Sequence, residues 1–292
     1  MAASKRVLLF AVLTVAIMSV STGSILVRVA EAHPFVKCVY RVSFATLVFL
    51  PVSLIFYRED YRRLTGRDLA ITLLSGAFLA FHFAVWMTSL DYTSVASSLI
   101  LVDTVPIWTA LINLALGRER LSRLMGLCIV MSVVGACILG YGDMSFGKRE
   151  LFGDFLALLG GIAASVYIIC GGEVRRKLSI ASYATLCYGS CAVIMWIVVL
   201  AMGLKITGFS AATWRALAGM ALLAQVLGHS GYNWALGYCS TCHISILLLG
   251  EPLGGAILAW LFFGEYPKGV GLLGFAFLVA AILLSSRDEK RA

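Results

Sequence analysis

The chain has 292 residues, of which 61% are apolar and 13% charged, with a net charge of +8. A soluble domain carries about 45–50% apolar and about 25% charged residues, so this excess cannot be hidden in one globular core and lipid must solvate much of the chain. The Lys and Arg residues sit mostly between apolar runs, which makes the charge a topology signal and argues against nucleic acid as a partner.

The first apolar run, Val7–Val27, follows Lys5 and Arg6 and imitates a signal peptide. It holds 21 residues, more than the roughly 7–15 of a signal-peptide core, so it reads as a retained first helix. Nine further runs follow: Pro34–Phe56, Leu69–Leu90, Ser94–Leu116, Leu121–Tyr141, Leu151–Cys170, Ser182–Met202, Ala216–Leu236, Cys242–Phe263 and Gly269–Leu284. A spanning helix needs about 20 apolar residues, and no period-two alternation supports strands. The prediction is therefore an all-α membrane protein with ten transmembrane helices. With a cytoplasmic N-terminus, fifteen Lys or Arg residues fall in inside segments and six outside. That bias places both termini in the cytoplasm and the protein in the inner membrane. The eight cysteines fall almost entirely inside apolar runs, where a free thiol behaves as a small hydrophobe.

The halves resemble each other. The stretch from His82 to Glu119 aligns without gaps on Gly228 to Glu265, so that Tyr92 meets Tyr238, Pro106 meets Pro252 and Glu119 meets Glu265, always at an offset of 146. The repeat divides the chain into residues 1–146 and 147–292, each with five expected spans. Five is odd, so the second half enters the membrane from the opposite side and the repeat is inverted, an arrangement common in secondary transporters. These stretches, with Glu251-Pro252, Gly264-Glu265 and His33-Pro34 followed by Arg41, resemble the EamA-type repeat of the drug/metabolite transporter superfamily. The resemblance implies ten helices around a central cavity and export of amino acids or other metabolites.

Ionisable groups in mid-membrane are costly, about 2.5–3.5 kcal/mol on insertion scales, and so mark candidate sites. Glu251 and Asp103 are each the tenth residue of their spans, near the midplane. Pro252 removes a hydrogen bond beside Glu251, and freed carbonyls near a carboxylate suit a proton or cation. His82 and Trp86 share one helical face, as do His229 and Asn233, with Tyr232 adjacent; such faces offer stacking and hydrogen bonds. Arg41 lies eight residues into its span and can meet an anionic group or pair with Asp103 or Glu251. Trp108 and Tyr167 are candidates for cavity lining, and Lys37 is expected to snorkel. Gly160-Gly161 and Gly254-Gly255 are expected to permit close helix contact. Glu119 reads as a structural ion-pair partner of its neighbouring arginines.

Cys239-Ser240-Thr241-Cys242-His243 matches the haem-attachment pattern, but a short link cannot enclose a porphyrin. With no nucleotide loop, zinc signature or nucleophile elbow, no cofactor or metal is expected. The leading expectation is a secondary exporter of a small molecule, surrounded by lipid, as monomer or homodimer. An intramembrane enzyme using Glu251, Asp103 and the histidines as acid and base is the alternative.

Overall fold

A computed structural model describes residues 3–118, 121–140, 147–263 and 270–288. Among them all regular structure is helical: α1 Ala3–Val20, α2 Gly23–Val29, α3 Pro34–Phe56, α4 Arg58–Arg63, α5 Gly66–Ser89, α6 Val95–Val102, α7 Val105–Ala115, α8 Arg123–Gly140, α9 Lys148–Val174, α10 Ile180–Ala201, α11 Ala211–Gly219, a π-helical segment Met220–His229, α12 Ser230–Ala235, α13 Thr241–Leu248, α14 Gly250–Phe263 and α15 Val270–Asp288. Eight helical stretches among the described residues are long and apolar enough to cross a membrane. Two of the ten expected spans fall short of that measure: α8 is a shorter apolar helix, and the ninth is split at Leu249 between α13 and α14.

The local sequence explains the boundaries. Six helices start behind a Ser or Thr whose side chain takes a first-turn N–H: Thr65 from Asp68, Ser94 from Ser97, Ser122 from Met125, Ser179 from Ser182, Ser210 from Thr213 and Ser240 from His243. Such caps satisfy donors that have no partner within the helix. His33 does the same for α3, with Pro34 at the first helical position, where the missing N–H is no loss.

Helix boundaries recur through the chain at the offset of 146. The first residues of α3 and α10, at 34 and 180, keep it, as do those of α6 and α13, at 95 and 241; the ends of α5 and α12, at 89 and 235, keep it too. Helices α6 and α7 break at Asp103-Thr104, and α13 and α14 break at the equivalent depth at Leu249. Pro106 and Pro252 thus lie in the first turns of α7 and α14, past each break, so each proline enters a helix start rather than weakening a helix behind the acid. The first expected span is also discontinuous, interrupted at Ser21-Thr22.

Connections sort to two ends of the bundle. At one, Ser179 N donates to Asp60 Oδ2 at 2.9 Å, and Lys177 Nζ lies 2.6 Å from Asp68 Oδ1. At the other, Arg149 Nη2 donates to Asp91 O at 2.8 Å, Glu31 N to Thr213 Oγ1 at 3.2 Å and Tyr40 Oη to Ile206 O at 2.6 Å. Glu119 and Glu265 lie outside the described residues. Lys37 does not snorkel free; it is buried in the first two turns of α3.

Small residues set the helix spacing. A Cβ at Gly76 of α5 would collide with Ser190 Oγ and the Cys187 carbonyl of α10. Gly161 sits close to the Val102 carbonyl, and Gly254 against Ser21, whereas a Cβ at Gly255 would meet nothing within 4 Å among the described residues. Gly76→Ala is expected to destabilise by about 1–3 kcal/mol, read as a lowered Tm in detergent; Gly66→Ala, where a Cβ meets nothing within 4 Å, should not lower it.

Asp60 gives a pH prediction. Partial burial alone raises its carboxyl, but hydrogen bonds from Ser179 and Ser182 outweigh this and hold it below the usual carboxylate range. Its stabilising effect is therefore present above the unfolded-state value and is lost as pH falls through the lowered folded value. Thermal unfolding followed below about pH 5 should show an acid-side loss of Tm that is smaller in Asp60→Asn.

Candidate functional site

The two helix breaks and the π-helical segment meet around a space of about 40 Å³. All eight candidate residues line it: Arg41, His82, Trp86, Asp103, His229, Tyr232, Asn233 and Glu251. Each comes from a different constraint. Asp103 caps the C-terminus of α6, and Glu251 sits in the first turn of α14. Arg41 projects from α3, His82 and Trp86 from α5, His229 from the end of the π-helical segment, and Tyr232 and Asn233 from α12. Tyr167 of α9 joins them. Trp108 does not; its indole N–H donates to Thr104 Oγ1 one turn back at 3.1 Å.

The arginine is not paired with an acid. Its Nε donates to Gln225 Oε1 at 2.7 Å, and its guanidinium carbon stands 4.1 Å from the centre of the Phe83 ring. Among the described residues no carboxylate oxygen lies within 4.0 Å of it. A side chain 1% exposed with a formal charge needs such compensation, and the amide dipole and ring face supply part of it. Gln225 was missed from the sequence because attention went to charges and aromatics. The available signal was an amide inside an apolar run, which is itself costly in lipid.

The histidines and tyrosines form a connected wall. His82 Nδ1 lies 2.9 Å from Gly160 O, so it carries the proton and donates. The His82 ring is parallel to Trp86 with centroids 6.1 Å apart, and His229 stands 6.4 Å from His82 and 6.2 Å from Tyr167. Asn233 Nδ2 donates to Tyr188 Oη at 3.0 Å and also to Tyr167 Oη. Tyr188 Oη lies 3.0 Å from Ser230 Oγ. Neither Tyr188 nor Ser230 was singled out from sequence, because a hydroxyl in an apolar run gives no directional signal.

Several polar atoms facing this region lack partners among the described residues: Arg41 Nη2, Trp86 Nε1, Gln225 Nε2, Asp103 Oδ2 and Glu251 Oε1. A buried polar group left unmet costs about 1–3 kcal/mol. Donors and acceptors thus remain unsatisfied in one wall, ready for a molecule that offers both. The space is too small for one in this conformation. It would hold about three waters, against roughly 300–1,000 Å³ for sites that take drug-sized ligands.

Comparison with known proteins defines the class. The EamA-like transporter family matches the chain twice, over residues 5–141 and 151–287. The chain belongs to the EamA-like transporter family and is a multi-pass membrane protein. It is 25% identical over 98% of its length to an uncharacterized transporter of Archaeoglobus fulgidus, covering 99% of that protein. It is 21% identical to the uncharacterized transporter YdfC of Bacillus subtilis, over 74% of this chain and 71% of that one. A solved crystal structure matches the fold with a TM-score of 0.78 at 15% identity, covering 96% of both chains. Family and relatives point to transport rather than catalysis.

Replacing the amide that holds Arg41 tests the site's energetics. Gln225→Leu should lower stability by about 1.5–3 kcal/mol, read as a Tm shift in detergent. Gln225→Glu, which supplies a countercharge, should recover most of the loss.

Proposed function

We infer that the chain is a secondary active transporter that exports a small metabolite, an amino acid or related compound, by alternating access. One observation carries this reading: complementary unsatisfied groups, Arg41 and Trp86 as donors and Asp103 and Glu251 as acceptors, line a space where two broken helices meet. A zwitterion meets both sets. Half-helix ends at the bilayer midplane are a recurrent way of building such a site.

Alternating access follows from the repeat. Residues 1–146 and 147–292 serve as the two five-helix units, ten spans in all. The recurrence of boundaries at an offset of 146 supports this division, as does the double match to the family. The inversion is supported by the end contacts. Helix α5 starts beside Lys177 and its partner Asp68, while its equivalent, α11, starts at the opposite end, where Thr213 accepts from Glu31. Equivalent helices thus run in opposite directions, so rocking one unit against the other exchanges one open face for the other. The basic connection 57–68 marks the cytoplasmic end, which puts both termini in the cytoplasm of an inner-membrane protein. Because one chain carries its own pseudo-symmetry, a monomer suffices, and a homodimer adds no residue to the site. Asp103 and Glu251 are the groups through which a proton gradient drives export.

Counterflow in proteoliposomes, with labelled amino acids, amines and nucleobases, tests this reading. Saturable exchange of one class is expected. Glu251→Gln and Asp103→Asn should remove the pH dependence of net transport while exchange persists. Unsaturable flux, or formation of a product, would sink the reading.

A further inference from the structure

A second cavity, of about 310 Å³, opens at the end of the bundle that carries connection 57–68. It is lined by Arg67, Asn113, Arg118, Glu173, Cys239 and Thr241, with Gly172 and Ile169 on its inner wall. It lies next to the central space along the chain. Three chain segments line both: Ile168 faces the central space and Gly172 the outer cavity, Leu236 the central space and Cys239 the outer, Ile244 the central space and Thr241 the outer. These pairs are three or four residues apart, and adjacent Ile168 and Ile169 line one space each, so the barrier separating the two is no more than about one helical turn, ~5 Å.

Two polar connections close this barrier. Asn113 Nδ2 of α7 donates to Thr241 Oγ1 of α13 at 2.7 Å, a bond between the fourth and ninth expected spans. Outside it, Glu173 of α9 takes Arg67 Nη2 at 2.8 Å on one oxygen and Arg118 Nη1 at 2.9 Å on the other. One carboxylate of the second half thus ties two elements of the first. Gly172 lets α13 approach: a Cβ there would collide with Thr241 Cγ2.

The repeat shows that this arrangement belongs to one end only. At the offset of 146, Arg67, Arg118 and Glu173 correspond to Thr213, Gly264 and Val27, and Asn113 and Thr241 correspond to Ala259 and Val95. No charge and neither half of the amide–hydroxyl pair is repeated. A scaffold that is symmetric in its helices is therefore asymmetric in the residues of its two closures.

We propose that Glu173, bridging Arg67 and Arg118, together with the Asn113–Thr241 bond, is the latch of a polar cytoplasmic gate, and that the outer cavity is the vestibule through which substrate reaches the central site. The proposal rests on the transporter reading of that site. Arg67 is 76% exposed and Glu173 23%, so the ion pairs are screened by salt. The gate therefore opens more readily as ionic strength rises, which an apolar closure would not do.

Cys239, 5% exposed on the vestibule wall, reports opening without any substrate. The full-length protein in lipid nanodiscs is treated with a membrane-impermeant maleimide, and modification of Cys239 is followed by peptide mass spectrometry. Cys38 and Cys191, buried in the bundle core, serve as internal controls. Going from about 0.05 to about 1 M salt should speed Cys239 labelling several-fold and leave the controls unchanged. Glu173→Gln should label about fivefold faster at low salt, as expected for the loss of exposed ion pairs, and should lose the salt response. Gly172→Ala, which displaces Thr241, should also label faster. Labelling that is insensitive to salt in the unmutated protein overturns the latch, whether or not the variants fold. Faster labelling in a protein that shows no counterflow leaves the latch standing and overturns the transporter reading instead.

Discussion

In the hydrocarbon of a bilayer, a backbone N–H or C=O without a partner costs several kcal/mol, because no water can take the place of the missing bond. Among the described residues, the expected spans are nevertheless broken at three places and widened at a fourth. Hydroxyls inside the bundle add bonds to the carbonyls around these places. Thr104 Oγ1 donates to Leu101 O at 2.6 Å, and Ser165 Oγ to Val105 O at 3.1 Å. Ser21 Oγ reaches both Ile17 O and Glu251 O, at 2.7 and 3.0 Å, and Ser230 Oγ reaches Gln225 O at 3.0 Å. Irregular backbone is tolerated only where protein surrounds it. That requirement draws the breaks to one place, and the central space is what lies between them.

The charges of this space follow from the same constraint. An arginine and two carboxylates in one dry enclosure would ordinarily collapse into ion pairs, and a buried pair of that kind is hard to open again. Here Gln225 and Phe83 carry Arg41 instead, which leaves one guanidinium nitrogen and one oxygen of each acid unmet. This is poor for stability and useful for binding. The folded chain keeps about 1–3 kcal/mol of unmet demand per group. The π-helical segment that carries Gln225 and His229 is of a type often found at functional sites.

Stability and mobility are divided along the bundle axis. Between α5 and α10 the backbones approach so closely that Gly76 admits no side chain, and Phe83, Tyr183 and Tyr188 are wholly buried nearby. Between elements at one end, the ion pairs Arg67–Glu173 and Arg118–Glu173 have exposed arginines, and exposed pairs of this kind are worth about 0–1 kcal/mol.

Much of this was legible in the sequence. Apolar runs of membrane length, separated by basic connections, fix an all-helical membrane protein, because lipid permits few other solutions. The offset of 146 between Pro106 and Pro252 recurs in several helix boundaries. The eight polar and aromatic residues singled out inside those runs are all among the residues that line the central space. What sequence spacing could not supply was the partner of each group. Arg41 read equally well as the mate of Asp103, Glu251 or a substrate. Trp108 and Tyr167 read alike, yet one bonds its own helix and the other lines the cavity. Lys37 looked free to reach water and is buried. These outcomes depend on which elements from opposite halves of the chain come within about 4 Å of each other. Periodicity within one helix carries no information about that distance; only the packed bundle decides it.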